Sequence, residues 1–168
     1  MERRVTENCV FRAFEPDDLP RLHQIREAAF EPVFQSFRTI VGAEIARVAF
    51  AGAEREQADL LDRICAAGSS HDVFVAVREG EVVAFCAVSL DRDTGIGEID
   101  LNAVHPDHQG EGIGTAMYAL ALNRMRAAGM RVATVGTGGD QSHTPARRAY
   151  EKAGFGPAIP SLHMYRLL

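Results

Sequence analysis

Residues 104–117 read VHPDHQGEGIGTAM, with glycines at 110, 112 and 114 directly before a run of good helix formers. The preceding GEIDLNAV (97–104) is a strand candidate, so the segment reads as strand, glycine loop and helix N-terminus. That arrangement aims several backbone N–H groups and the positive end of a helix dipole at one spot, which favours an anion such as a pyrophosphate. Glycine lets the anion come close to the main chain. Two phosphate loops fit poorly. A P-loop needs Gly-Lys followed by Ser or Thr, and Lys152 is the only lysine in the chain. The dinucleotide pattern G-x-G-x-x-G starts at Gly110 and Gly112 but meets Thr115 where its third glycine belongs. A purely structural turn satisfies the same spacing, and Glu111 places a negative charge inside the loop.

Working outward, element types alternate along the chain. Residues 10–14 are a strand candidate, and Pro16-Asp17-Asp18 opens a helix to about residue 30 with Leu19, Leu22, Ile25 and Ala29 on its apolar side. Residues 33–67 read as two helical pieces broken near Ala51-Gly52. Residues 73–90, VFVAVREGEVVAFCAVSL, are two β-rich runs joined by a tight glycine turn, a hairpin. After the strand at 97–104 come a helix over 113–128, stopped by Gly129, a strand over 131–135 and a helix from Thr144-Pro145 to Gly154. Residues 155–160 and 163–168 can supply terminal strands. The order strand, two helices, three strands, helix, strand, helix, two strands predicts an α/β domain with a mixed, mostly antiparallel sheet flanked by helices.

The 168 residues, 46% hydrophobic, fit one domain, and neither a repeat nor a linker marks a boundary within 1–168. A formal net charge of −5 argues against a nucleic-acid partner held by a basic surface and suits a cationic one. No run approaches the ~20 apolar residues of a membrane span, and the opening MERRVTENCVFR lacks the apolar core of a signal peptide, so the expected location is the cytosol with no membrane partner. Cys9, Cys65 and Cys86 are widely spaced and read as buried or free thiols. His105 and His108 form an H-x-x-H with no third ligand nearby, so no metal is expected.

Gln109-Gly110-Glu111-Gly112-Ile113-Gly114 resembles the Q/R-x-x-G-x-G/A signature of the GCN5-related N-acetyltransferases, the GNAT superfamily. Residues 143–155, HTPARRAYEKAGF, resemble that superfamily's second ordered segment. The resemblance covers 73–168 well and implies acetyl-CoA as co-substrate. Its pyrophosphate would rest on the amides of Gln109, Gly110, Glu111, Gly112, Ile113, Gly114 and Thr115, and its pantetheine arm would run along Asn102, Ala103 and Val104. His143 stands where the family often has asparagine and would contact the same arm. A homodimer is common in the superfamily.

Uninterrupted alternation would put Glu98, Asp100, Asn102 and Val104 on one strand face, an acidic patch beside the glycine loop. Glu98 matches the position of a strand glutamate that serves as general base in part of the superfamily, with Asp100 as the second candidate. A base is needed because an amine acceptor is protonated near neutral pH and only the free amine attacks a thioester. The resemblance makes Tyr150 the proton donor to the departing thiolate; outside the motif it would be a packing residue. Arg147 and Arg148 either meet CoA phosphates or face water. The expected activity is acetyl transfer to a primary amine of a small molecule or peptide. A silent acyl-CoA-binding module and a cofactor-free interaction domain are the alternatives.

Overall fold

The structure, a computed structural model, describes residues 9–168. Its elements are β1 (Cys9–Ala13), α1 (Leu19–Val41), α2 (Ala43–Ala49), α3 (Ala53–Cys65), β2 (Asp72–Arg78), β3 (Glu81–Asp91), β4 (Ile96–Val104), α4 (Ile113–Ala127), β5 (Val132–Val135) and α5 (Thr144–Lys152). Five strands form one sheet in sequence order, antiparallel except for the β4–β5 pair. The expected mixed sheet flanked by helices is therefore present. Connection chemistry explains its directions. β2 turns into β3 through Glu79 (φ 51°) and Gly80 (φ 86°), the left-handed pair that a tight hairpin needs, whereas β4 reaches β5 only after the crossover helix α4.

Each sheet face buries its own core. On one side α1 and α3 set Leu22, Ile25, Leu61 and Ile64 against Val73, Val75, Phe85, Leu101 and Ala103. On the other, α4 and α5 set Ile113, Met117, Ala121, Met125 and Tyr150 against Phe74, Cys86, Val88 and Ile99. With both faces covered, β2 and β3 must be nearly continuous apolar runs, as their sequences are.

Two local expectations are corrected. Helix α1 does not stop near residue 30 but continues through Pro32 to Val41, because buried side chains on both sides of the proline, Ile25 and Phe34, anchor it. It ends at Gly42, whose φ of 81° no continuing helix could use. The terminal strands expected at 155–160 and 163–168 are not formed among the described residues. Pro157 and Pro160 have no N–H for a sheet ladder, and Ile159 and Met164 are 96% and 90% exposed, so apolar residues alone did not secure a sheet face.

A β-bulge decides the geometry of the site. β3 and β4 pair Cys86 with Asn102 and Val88 with Ile99, so Ala87 alone stands opposite both Asp100 and Leu101. Parity changes there: Ile99 packs on the α4 side, whereas Leu101 and Ala103 pack on the α1 and α3 side. The single acidic face expected for this strand is thus broken. Glu98, next to Ile99, looks toward the α1 and α3 side, while Asn102 looks toward α4 and α5.

Candidate active site

β4 and β5 pair from Ile96↔Val132 to Ile99↔Val135; β5 then ends and β4 runs on to Val104 paired only with β3. His105 donates its N–H to Val83 O on β3 at 2.9 Å. By alternation Asn102 and Val104 turn their own peptide groups the other way, into the opening beyond β5. The glycine loop closes the end of that opening. Gly110 and Gly112 take φ values of 78° and 83°, open to glycine but costly for other residues. α4 starts with Gly112 as its N-cap and no side chain on the cap, and the first N–H bonded back is that of Ala116, to Gly112 O. The amides of Ile113, Gly114 and Thr115 therefore have no helical acceptor. Glu111, the charge that argued against an anion, is paired with Arg78 of β2. Gln109 fastens the loop to the strand by donating from Nε2 to Val104 O at 3.0 Å. Bare amides at a helix N-terminus, continuous with a free strand edge, fit a pyrophosphate followed by an amide-bearing arm.

Beside this edge lies a hydrogen-bonded set that the sequence reading caught only in part. Tyr118 of α4 donates its hydroxyl to Asn102 Oδ1 at 2.9 Å; Asn102 Nδ2 donates to Asp100 O at 2.9 Å and to the Tyr150 hydroxyl at 3.2 Å. The two tyrosine rings lie 4.7 Å apart, and Phe155 meets Tyr150 edge-on at 5.9 Å. Because the Tyr150 oxygen accepts from Asn102, its own proton is free to donate elsewhere. Burial raises the Tyr150 pKa above the ordinary tyrosine value, partly offset by the hydrogen bond from Asn102, and burial also raises that of Tyr118. Both phenols stay protonated at neutral pH.

The loop between β5 and α5 forms the facing wall. His143 Nδ1 lies 2.6 Å from Asp140 Oδ1, and the imidazole stacks on Phe37 of α1. Asp140 also accepts from Ser36 at 2.7 Å and from the N–H and hydroxyl of Ser142. Burial alone would raise the Asp140 pKa, but the hydrogen bonds from Ser142, Ser36 and His143 outweigh it and hold the carboxyl well below the usual range. Gly138 is required here, since a Cβ would collide with the His143 ring. Arg147 donates to Gly138 O and Asp140 O, at 2.6 and 2.7 Å, so its guanidinium braces this loop.

The β4 carboxylates lie at different places along the strand. Glu98 is exposed and still opposite Thr134 in the paired part of the sheet, whereas Asp100 sits in the bulge just past the last pair. Asp100 Oδ2 is 3.0 Å from His71 Nε2. His105 is engaged in its own turn, accepting the Asp107 N–H at 3.3 Å, and among the described residues no three His, Cys, Asp or Glu side chains group as a metal site. Sequence reasoning missed Tyr118, Asp140 and His71. Only Tyr118 left a local signal, a tyrosine inside the apolar helix after the glycine loop.

The Acetyltransferase (GNAT) family profile matches residues 21–155. A mycothiol acetyltransferase of Sanguibacter keddieii is 35% identical over 116 residues, 66% of this chain and 36% of that protein. A second, from Streptomyces avermitilis, is 33% identical over 93 residues, 55% of this chain and 29% of that protein. The chain thus spans only about a third of the length of these curated relatives. Among solved structures, a GNAT family acetyltransferase from Brucella melitensis in complex with acetyl-CoA superposes with a TM-score of 0.60 at 26% identity, covering 90% of this chain and 91% of that one. The ribosomal-protein-S18-alanine N-acetyltransferase of Escherichia coli shares the fold, with a TM-score of 0.63 at 20% identity over 90% of this chain and 79% of that one. No helix among the described residues is long and apolar enough to cross a membrane. With a parted β4–β5 pair, a glycine loop capping the next helix and a family match over most of its length, the chain belongs to the GNAT acetyltransferase family.

Proposed function

We propose that the chain is an acetyl-CoA-dependent N-acetyltransferase acting on a primary amine of a small molecule. The observation that carries this reading is the Tyr150 hydroxyl, held by Asn102 with its proton free, beside a strand edge that ends at the uncapped N-terminus of α4. Acetyl-CoA, when bound, supplies an activated acetyl thioester and a thiolate leaving group. The amides of the loop from Gly110 to Thr115 hold its pyrophosphate, the Gln109 N–H being donated instead to Pro106 O at 3.2 Å, and the free edge of Asn102 and Val104 holds its amide arm. The Asn102 backbone N–H, turned into the opening, would stabilise the negative charge that the acetyl oxygen gains. A β4 carboxylate, Glu98 or Asp100, takes a proton from the incoming ammonium, and Tyr150 protonates the sulfur. His143, fixed by Asp140 through Nδ1, offers Nε2 to the same arm.

The small-molecule acceptor is favoured by the relatives named mycothiol acetyltransferase. A silent acyl-CoA-binding module would need the glycine loop but not the Asn102–Tyr118–Tyr150 set. Isothermal titration tests the cradle. A Cβ at Gly114 would lie 3.8 Å from Val104 and 3.9 Å from Tyr118, ordinary contacts, so Gly114→Ala folds and the bulkier Gly114→Val chiefly obstructs the anion. The expected result is one acetyl-CoA per chain, bound at least 10-fold more weakly by Gly114→Val. Equal affinity in both proteins removes the cradle.

A further inference from the structure

Acetyl transfer to an ammonium releases one proton for which a β4 carboxylate is an acceptor but not a route out of the cleft. The nitrogen loses two protons on the way from ammonium to amide; one ends on the CoA sulfur, through Tyr150, and the other must leave the cleft in every turnover. We propose that Asp100 and His71 form the pair that removes this second proton, Asp100 as its acceptor and His71 as its route to water. The proposal rests on the acetyl-transfer reading and adds a proton-relay role, exerted through Asp100, for a histidine outside both sequence motifs.

The geometry gives each group a side. Asp100 occupies the bulge where β4 leaves β5, and its Oδ1 has no hydrogen-bond partner among the described residues, while Oδ2 lies 3.0 Å from His71 Nε2. The other ring nitrogen, Nδ1, lies 3.2 Å from Ser69 Oγ, and that hydroxyl is itself fixed by accepting the His71 N–H at 3.2 Å. Ser69 and His71 line an open recess of about 250 Å³ between the end of α3 and the start of β2, and Asp100 is not part of its wall. One imidazole nitrogen thus meets the Asp100 carboxylate and the other meets the open recess. Imidazole takes a proton on one nitrogen and releases it from the other, near neutral pH.

The step balances. An N–H bond of the ammonium breaks as an O–H bond forms at Asp100 Oδ1; the carboxyl turns and passes a proton to Nε2 of a His71 ring that carries its own proton on Nδ1; the imidazolium releases that Nδ1 proton to water beside Ser69, and proton exchange with water returns the neutral ring to its Nδ1–H form for the next turnover. The charged neighbours leave this path clear. Asp72 is committed to Arg124 of α4 through both oxygens, at 2.7 and 2.6 Å. Burial, with the Asp62 charge adding to it, pushes the Cys65 thiol on the recess wall up to about 11, so it stays neutral. Glu98 lies two residues back, where β4 is still paired.

The test compares His71→Gly and His71→Gln with the parent in a continuous assay of free CoA, using the fastest amine of spermidine, kanamycin, lysine and an alanine-terminated peptide. Glutamine can keep the hydrogen bond to Asp100 but carries no proton at neutral pH; glycine leaves a gap open to the recess. The expected result is a rate loss on the order of 10²-fold in both variants, with acetyl-CoA affinity unchanged. Added imidazole should restore His71→Gly in proportion to its concentration and leave His71→Gln slow. A His71→Gln protein at the parental rate from about pH 6 to about pH 9 overturns the proton role, since only the hydrogen bond would then matter. In the chain without acetyl-CoA, Asp100→Asn should move the ring ¹⁵N resonances of His71, and unmoved resonances overturn the pair itself. A parent that binds no acetyl-CoA overturns the acetyl-transfer reading and the relay together, which separates that failure from failure of the relay alone.

Discussion

Tyr150→Phe removes one oxygen and keeps the ring. The side chain is 7% exposed, packed against Tyr118 and edge-on to Phe155, contacts that phenylalanine reproduces. The lost partner is the acceptor for Asn102 Nδ2, which retains its 2.9 Å bond to Asp100 O. One buried N–H is left without an acceptor, a cost of about 1 kcal/mol, which for a chain of this size lowers Tm by about 2–4 °C. Stability and acetyl-CoA affinity should therefore change little. The rate should not. Without the phenol the thiolate leaves unprotonated, and the acetyl-transfer rate should fall by about 10²-fold. Because burial raises the Tyr150 pKa, the parent keeps its acid until pH rises above the ordinary tyrosine range. The parent should therefore slow at strongly alkaline pH through loss of the acid, and the variant should lack that step. The assay is free CoA release across pH beside acetyl-CoA titration on the same folded preparations. A variant with the parental rate and the parental alkaline limb refutes the acid role and leaves Tyr150 as packing.

Other consequences are independent of turnover. Cys65, Cys86, Tyr118 and Tyr150 hold their protons more tightly when folded, burial being the leading cause, so the stability this reflects is complete below the unfolded values and is lost as pH rises. Thermal unfolding should show Tm falling above about pH 9, and a flat profile to pH ~10.5 contradicts their burial. At the acid end the carboxyls of Asp18, hydrogen-bonded by Arg12, and Asp140 have lowered values, so their stabilisation is present above about pH 4 and should fade as pH falls below it. Gly138→Ala, whose Cβ would strike the His143 ring and Asp140, should cost about 1–3 kcal/mol, whereas Gly139→Ala meets no atom and should stay within about 0.5 kcal/mol. Equal melting shifts for the two would mean that the β5–α5 loop is not packed against His143.

What was legible in the sequence was local. The glycine loop, the helix it caps and the β2–β3 hairpin follow from residues adjacent in the chain, and all three stand where the pattern put them. The bulge at Asp100 and Leu101 did not show, because it is a property of the pairing with Ala87 of β3 and not of β4 alone. That one residue separates the faces of Glu98 and Asn102, which simple alternation joined. The His71–Asp100 and Ser36–Asp140 contacts link residues 29 and 104 positions apart and leave no periodic trace. In the C-terminal tail, residues 155–160 and 163–168 read as strands, but Pro157 and Pro160 withhold ladder donors from the first and Met164 stays exposed in the second.

The most direct test of the central claim is the stoichiometry of CoA release when the chain is incubated with acetyl-CoA and the amine panel. The account requires release of one free CoA for each acetylated amine formed, dependent on both substrates and suppressed in Tyr150→Phe. Acetyl-CoA that binds with one molecule per chain but is never consumed, with any amine of the panel, would contradict it and leave a binding module in place of an enzyme.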